Sequence, residues 1–171
     1  VILVETVPLE FDLESLGCRL RIRPGQTKFM DRLSRLAEEA ARVARPKAVA
    51  RLCGLTILDE EKVQVGEVTF PARCLRQKMD GLGRAFPYLA SEGTELADWS
   101  LSLSSSLEQV FASALREVAV QQAENLLERT LLERYGIAQV SAMNPGSLKV
   151  WSLEEQVPLF ELLAHCPRNW V

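Results

Sequence analysis

The chain is poor in the residues that enzymes most often use for covalent and metal chemistry. Among its 171 residues there is one histidine, His165. Four cysteines stand at Cys18, Cys53, Cys74 and Cys166, and no two are spaced as C-x-x-C. With a single imidazole to help, the paired ligand spacing of a small metal site is missing. His165 and Cys166 are neighbours, and adjacent side chains point apart, so they do not form a productive dyad. The cysteines read as small apolar residues, buried and reduced, as in a cytoplasmic protein. No G-x-G-x-x-G, P-loop, G-x-S-x-G or H-E-x-x-H pattern occurs.

Other absences exclude whole classes. No run approaches the ~20 apolar residues of a membrane span. The apolar start Val1-Ile2-Leu3-Val4 meets Glu5 at once and has no basic flank, so it is no signal peptide. A net charge of -3 has the wrong sign for a generic nucleic-acid binder, and the 6% of aromatics do not interleave with the scattered basic residues. Beginning at Val1 and stopping at Trp170-Val171, the chain reads as lacking its natural ends. What is present is ordinary: 47% hydrophobic and 25% charged residues, enough for one domain over residues 1–171 with a real core.

Periodicity organises the chain. Val7 to Ile22 ends in the alternation Cys18-Arg19-Leu20-Arg21-Ile22, which predicts a short strand before the turn Pro24-Gly25. From Thr27 to Ala44, Phe29, Met30, Leu33, Leu36, Ala37, Ala40 and Val43 recur at helical spacing, and Pro46 stops the helix. Val49 to Leu58 and Lys62 to Phe70 read as a β-hairpin joined by Asp59-Glu60-Glu61, with Gly66 marking a bulge. A short helix is expected from Pro71 to Lys78. Arg84 to Ala90 reads as a strand that Pro87 demotes to an edge, and 91–94 as loop.

Ser105-Ser106-Leu107-Glu108 is a capping box, the glutamate reaching back to the cap. Behind it, Leu107, Val110, Phe111, Ala114, Leu115, Val118, Ala119 and Leu126 predict a helix to about Arg134, stopped by Gly136. Ile137 to Met143 reads as a strand and Asn144-Pro145-Gly146-Ser147 as a tight turn. Ser152-Leu153-Glu154-Glu155 is a second capping box, opening a helix to about Ala164. Helices and strands mix without strict alternation, so the class is α+β.

Two places offer chemistry. Glu117 and Glu124 stand two turns apart on similar sides of the long helix. The stretch from Met143 to Leu163 combines a glycine turn with a capped helix start, whose N–H groups make a seat for a carboxylate or other acceptor. No nucleophile–base pair is visible for an independent hydrolase or transferase.

Met143-Asn144-Pro145-Gly146-Ser147-Leu148, with Trp151-Ser152-Leu153-Glu154-Glu155-Gln156 and Leu159-Phe160, resembles the C-terminal signature of the reactivation domain of cobalamin-dependent methionine synthase. Ala44-Arg45-Pro46-Lys47-Ala48, the hairpin into Phe70-Pro71-Ala72-Arg73-Cys74-Leu75, Phe86-Pro87-Tyr88-Leu89-Ala90 and the long helix follow in the family's order. The resemblance implies a twisted antiparallel sheet with flanking helices. It also implies S-adenosylmethionine as ligand and cobalamin presented by a partner, either a corrinoid-binding protein or a methyltransferase. A flavodoxin-like protein would be the electron donor, and the domain's task would be to position the methyl donor for reductive remethylation.

The implied site residues are Asn144, Gly146 and Ser147 at the turn and Glu117 on the long helix, with Glu124 in the alternative register. The family has an arginine where Ala142 stands and a tyrosine where Ser147 stands. Losing the arginine removes a two-pronged carboxylate clamp. A second reading is therefore an interaction protein that kept the fold and lost the ligand.

Overall fold

The computed structural model describes residues 1–5, 7–71, 79, 81–146 and 151–164. Strand β1 (Ile2–Val4) is followed by α1 (Leu13–Arg19), α2 (Thr27–Val43), β2 (Lys47–Ala50), β3 (Cys53–Ile57), β4 (Lys62–Val65) and β5 (Val68–Pro71). Then come β6 (Arg84–Ala85), β7 (Tyr88–Ser91), α3 (Thr94–Ser102), α4 (Ser106–Tyr135), a 3-10 turn at Leu153–Glu155 and α5 (Gln156–Leu163). The class is α+β. The single sheet expected is instead two antiparallel ones, ordered β1-β2-β7 and β5-β4-β3-β6. Contacts cluster into two compact units. One comprises Val1–Ile2, Val49–Leu89 and Tyr135–Val171, the other Leu3–Ala48 and Ala90–Arg134.

The helical unit rests on α2 and α4. Leu33, Leu36, Ala37 and Ala40 of α2 are buried with Phe111, Ala114, Leu115 and Ala119 of α4 and with Leu96 of α3, as the helical spacing predicts, whereas Phe29, Leu107 and Val110 of the same expected faces are exposed near the helix starts. Helix α3 begins inside the loop expected over 91–94 and continues where no helical spacing marks it. Gly93 precedes α3 with φ 88, and Leu96 is fully buried, so one packed side chain and a glycine entry define it. Glu108 does not reach back to its cap. Its side chain is 10% exposed and accepts from Arg32 at 2.6 Å and Arg35 at 3.1 Å, because two guanidinium groups outcompete one backbone N–H for a largely desolvated carboxylate. Helix α4 otherwise runs as expected and ends before Gly136 at φ 60.

The strand expected at Cys18–Ile22 is a helix end. Asp12 Oδ1 accepts from the N–H groups of Glu14 and Ser15, each at 3.0 Å, and so starts α1. At the other end Arg21 takes φ 56. Its N–H reaches Cys18 O at 3.0 Å while that of Ile22 reaches Gly17 O at 2.9 Å, a Schellman closure built without glycine. The apparent alternation is a helix C-terminus followed by a return of Ile22 to the core. Cys18 is exposed on this helix, not buried as expected; Cys53 is buried.

In the other unit β3 and β4 form the hairpin, with Leu55 opposite Val65 and Ile57 opposite Val63, but the strand expected over 49–58 is broken, its first two residues belonging to β2 in the other sheet. Asp59 shapes its link by accepting from Glu61 N–H at 2.8 Å. Gly66 is no bulge. It has φ 58 and, with Glu67, turns the chain back, so the strand expected over 62–70 is two strands paired from Val65–Val68 to Lys62–Pro71. Pro87 splits 84–90 as expected, leaving β6 and β7 each on a sheet edge. Cys53, Leu55, Val63, Val65 and Phe70 form a second core with Trp151 and Leu162.

No strand forms over 137–143. The segment pairs with neither sheet, and only Met143 packs on the core, so its apolar residues lack a ladder to join. The helix expected at 71–78 lies, beyond Pro71, outside the described residues, as do Cys74, Ser147, His165 and Cys166. Among the described residues no helix is long and apolar enough to cross a membrane. Asp12→Ala removes the acceptor that starts α1 and is expected to lower unfolding stability by about 1 kcal/mol. Chemical denaturation checks this, and an unchanged midpoint would contradict the cap.

Candidate functional site

Helix α4 places one polar face along a cleft. Ser113, Arg116, Glu117, Val120, Gln121 and Glu124 recur at three- and four-residue spacing and, with Glu92, line a cleft of about 490 Å³. Both glutamates nominated from the sequence therefore lie on the same cleft. The volume falls within the range of ~300–1,000 Å³ usual for small-molecule sites.

Charges in the cleft are partly matched. Arg116 donates through Nε and Nη2 to Glu92 Oε1 at 3.0 and 2.7 Å, and its Nη1 lies 3.4 Å from Ser100 Oγ. Glu92 is 17% exposed in its side chain, so this pair is the better shielded one. Glu117 is ion-paired with Arg19 of α1, but their side chains are 60% and 52% exposed. Such a solvated pair contributes ~0–1 kcal/mol. Gln121 Nε2 donates to Asn125 Oδ1 at 3.1 Å and the Ser113 hydroxyl to Gln109 O at 2.9 Å. Three carboxylates and the guanidinium of Arg116 line the cleft, with that of Arg19 paired to Glu117, so charges of both signs are presented to a ligand there. Among the described residues no cluster of three or more histidine, cysteine or acidic side chains is placed to hold a metal.

The turn after 143 belongs to the sheet-bearing unit, whereas Glu117 is carried by the helical one. Gly146 takes φ 84, and its N–H donates to Trp151 O at 2.8 Å. The N–H seat expected at Gly146 is thus filled by the chain itself. The N–H of Glu154 likewise goes to Ser152 Oγ at 3.3 Å, so the second cap forms, over a 3-10 turn that then opens α5. Asn144 is exposed, and its Oδ1 accepts the Tyr88 hydroxyl at 2.8 Å. Ala142 is exposed and brings only a methyl group. Trp151 is 5% exposed, and among the described residues its buried indole Nε1 has no hydrogen-bond partner, a donor that costs ~1–3 kcal/mol when left unpaired.

Sequence reasoning missed Glu92, Arg116 and Tyr88. Arg116 adjoins Glu117 and shares its face, a signal that was there to use. The Glu92–Arg116 and Tyr88–Asn144 contacts join residues 24 and 56 apart, and no motif spacing reaches that far.

No protein-family model and no curated protein matches the chain.

A Cβ at position 146 would stand 3.0 Å from Leu153 Cδ1 in a left-handed backbone. Gly146→Ala is therefore expected to lose about 1–2 kcal/mol, whereas Gly83→Ala, which meets nothing within 4 Å, changes little. Paired denaturation curves check this; equal midpoints for the two variants would contradict the turn geometry.

Proposed function

We propose that the protein is an accessory protein like the reactivation domain of methionine synthase. In this reading it is a cytoplasmic relative that binds S-adenosylmethionine, a corrinoid protein, or both, in support of reductive remethylation of cobalamin. The observation that carries the reading is the α4 cleft, where Glu117 and Glu124 stand together with Arg116 and Gln121. The methyl donor is a sulfonium with an ammonium and a carboxylate. The exposed carboxylate of Glu117, with that of Glu124 on the same cleft, favours its cationic groups. Arg116 favours its carboxylate, at the expense of the pairing with Glu92. The residues present therefore suit this ligand in charge and in size. The ligand would bring the methyl group, and the protein would bind and orient it. Cobalamin would be presented by the partner and an electron by a flavodoxin-like donor, so neither needs a cage of ligands on this chain.

The second reading, an interaction protein that kept the fold and lost the ligand, has its own support. Gly146 N–H and Asn144 Oδ1 are engaged within the chain, and Ala142 offers no fork for a carboxylate. Calorimetric titration with S-adenosylmethionine separates the two. The leading reading predicts saturable binding, weakened about tenfold, or ~1.4 kcal/mol, by Glu117→Gln and by Glu124→Gln. No heat at several temperatures, or binding indifferent to both substitutions, would leave the interaction reading in its place.

A further inference from the structure

Helix α5 is apolar on two sides. Leu162 and Leu163 face inward at 0% and 8% exposure, and Leu159 packs beside them on the core with Trp151 and Phe70. Across the helix, Leu153, Val157 and Phe160 are 62%, 64% and 45% exposed. Val157 and Phe160, three residues apart, share one side of α5, and Leu153 lies in the 3-10 turn that leads into it. Two large apolar side chains exposed side by side on an eight-residue helix, with a third just before it, form a patch and not a scatter of single residues.

Among the described residues of this segment the border of the stripe carries charge of one sign. Glu154 and Glu161, seven residues apart, are both exposed along the same side, and the span 151–164 contains no lysine or arginine. An anionic membrane is repelled by such a border. A two-fold pairing of this stripe with a second copy gives both partners the same acidic rim. The complement is an apolar ridge flanked by basic side chains.

We infer that Leu153, Val157 and Phe160 form a docking stripe for a protein partner that presents leucine-like side chains flanked by lysine or arginine, in the manner of a basic amphipathic helix. The inference does not depend on binding of the methyl donor, and its test contains none.

The probe is a fluorescein-labelled helical peptide with leucine on one face and lysine on the other. A second peptide carries glutamate in place of lysine. Fluorescence anisotropy with the full chain is expected to show saturable binding of the lysine peptide, weakened by salt. Phe160→Lys and Val157→Lys each reduce it about tenfold, equal to ~1.4 kcal/mol. The double variant Glu154→Lys/Glu161→Lys transfers the preference to the glutamate peptide. Because the altered side chains are exposed, circular dichroism should report unchanged folding. Absence of binding, equal binding of both peptides, or indifference to Phe160→Lys and Val157→Lys would overturn the inference. So would concentration-dependent dimerisation that Phe160→Lys abolishes, which would assign the stripe to a second copy.

Discussion

Phe111, Leu115, Ala119 and Ala123 run along one side of α4, and each is buried to 2% exposure or less. The helical unit depends on that line. Ala112, Ala119 and Ala123 bring only methyl groups to the interior, and a close-packed core transmits any change of volume there. With the buried side set, the 3.6-residue repeat decides where every other side chain of α4 points. Arg116, Glu117, Val120 and Glu124 fall on a different face and line the cleft. The chemistry proposed here is thus a consequence of packing: a helix fixed on its apolar side presents its carboxylates in a constant order. At its first turn Glu108 accepts from Arg32 and Arg35 of α2, which ties the two principal helices by charge as well as by apolar contact.

In the sheet-bearing unit, the corresponding constraint is a backbone turn. The N–H of Gly146 meets Trp151 O, and Trp151 is buried in the core with Phe70 and Leu162. Arg51 adds a second tie, donating through Nη1 to Leu162 O at 3.0 Å and to Glu67 at 2.6 Å. These groups hold the end of α5 and the turn before it, and they use donors and acceptors that a ligand at the turn would want. That is why support for ligand binding rests on the cleft, while the segment from Leu153 to Phe160 supports a role in contact with a protein.

Legibility followed the length of the pattern. Helices α2 and α4 repeat their apolar spacing over several turns, and both were readable to within a residue or two. The β3–β4 hairpin was readable because Asp59-Glu60-Glu61 separates two aliphatic runs. Short elements failed where the local signal was ambiguous. Five alternating residues at 18–22 mimic a strand, yet Asp12 and the left-handed Arg21 enclose a helix. Residues 137–143 have strand-like composition but no ladder to join, and a ladder is a property of the neighbours and not of the segment. At the candidate site, Glu117 and Glu124 were legible from helical spacing. Glu92 and Tyr88 were not, because only folding brings them to Arg116 and Asn144.

The central claim is that the face of α4 bearing Glu117 and Glu124 is where a methyl-donor ligand is held. Amide chemical-shift mapping of the isotopically labelled protein during titration with S-adenosylmethionine tests it most directly. The largest shifts are expected to cluster between Ser113 and Glu124 and to saturate together. Shifts confined to the segment from Ala142 to Gly146, or none at saturating ligand, would contradict it.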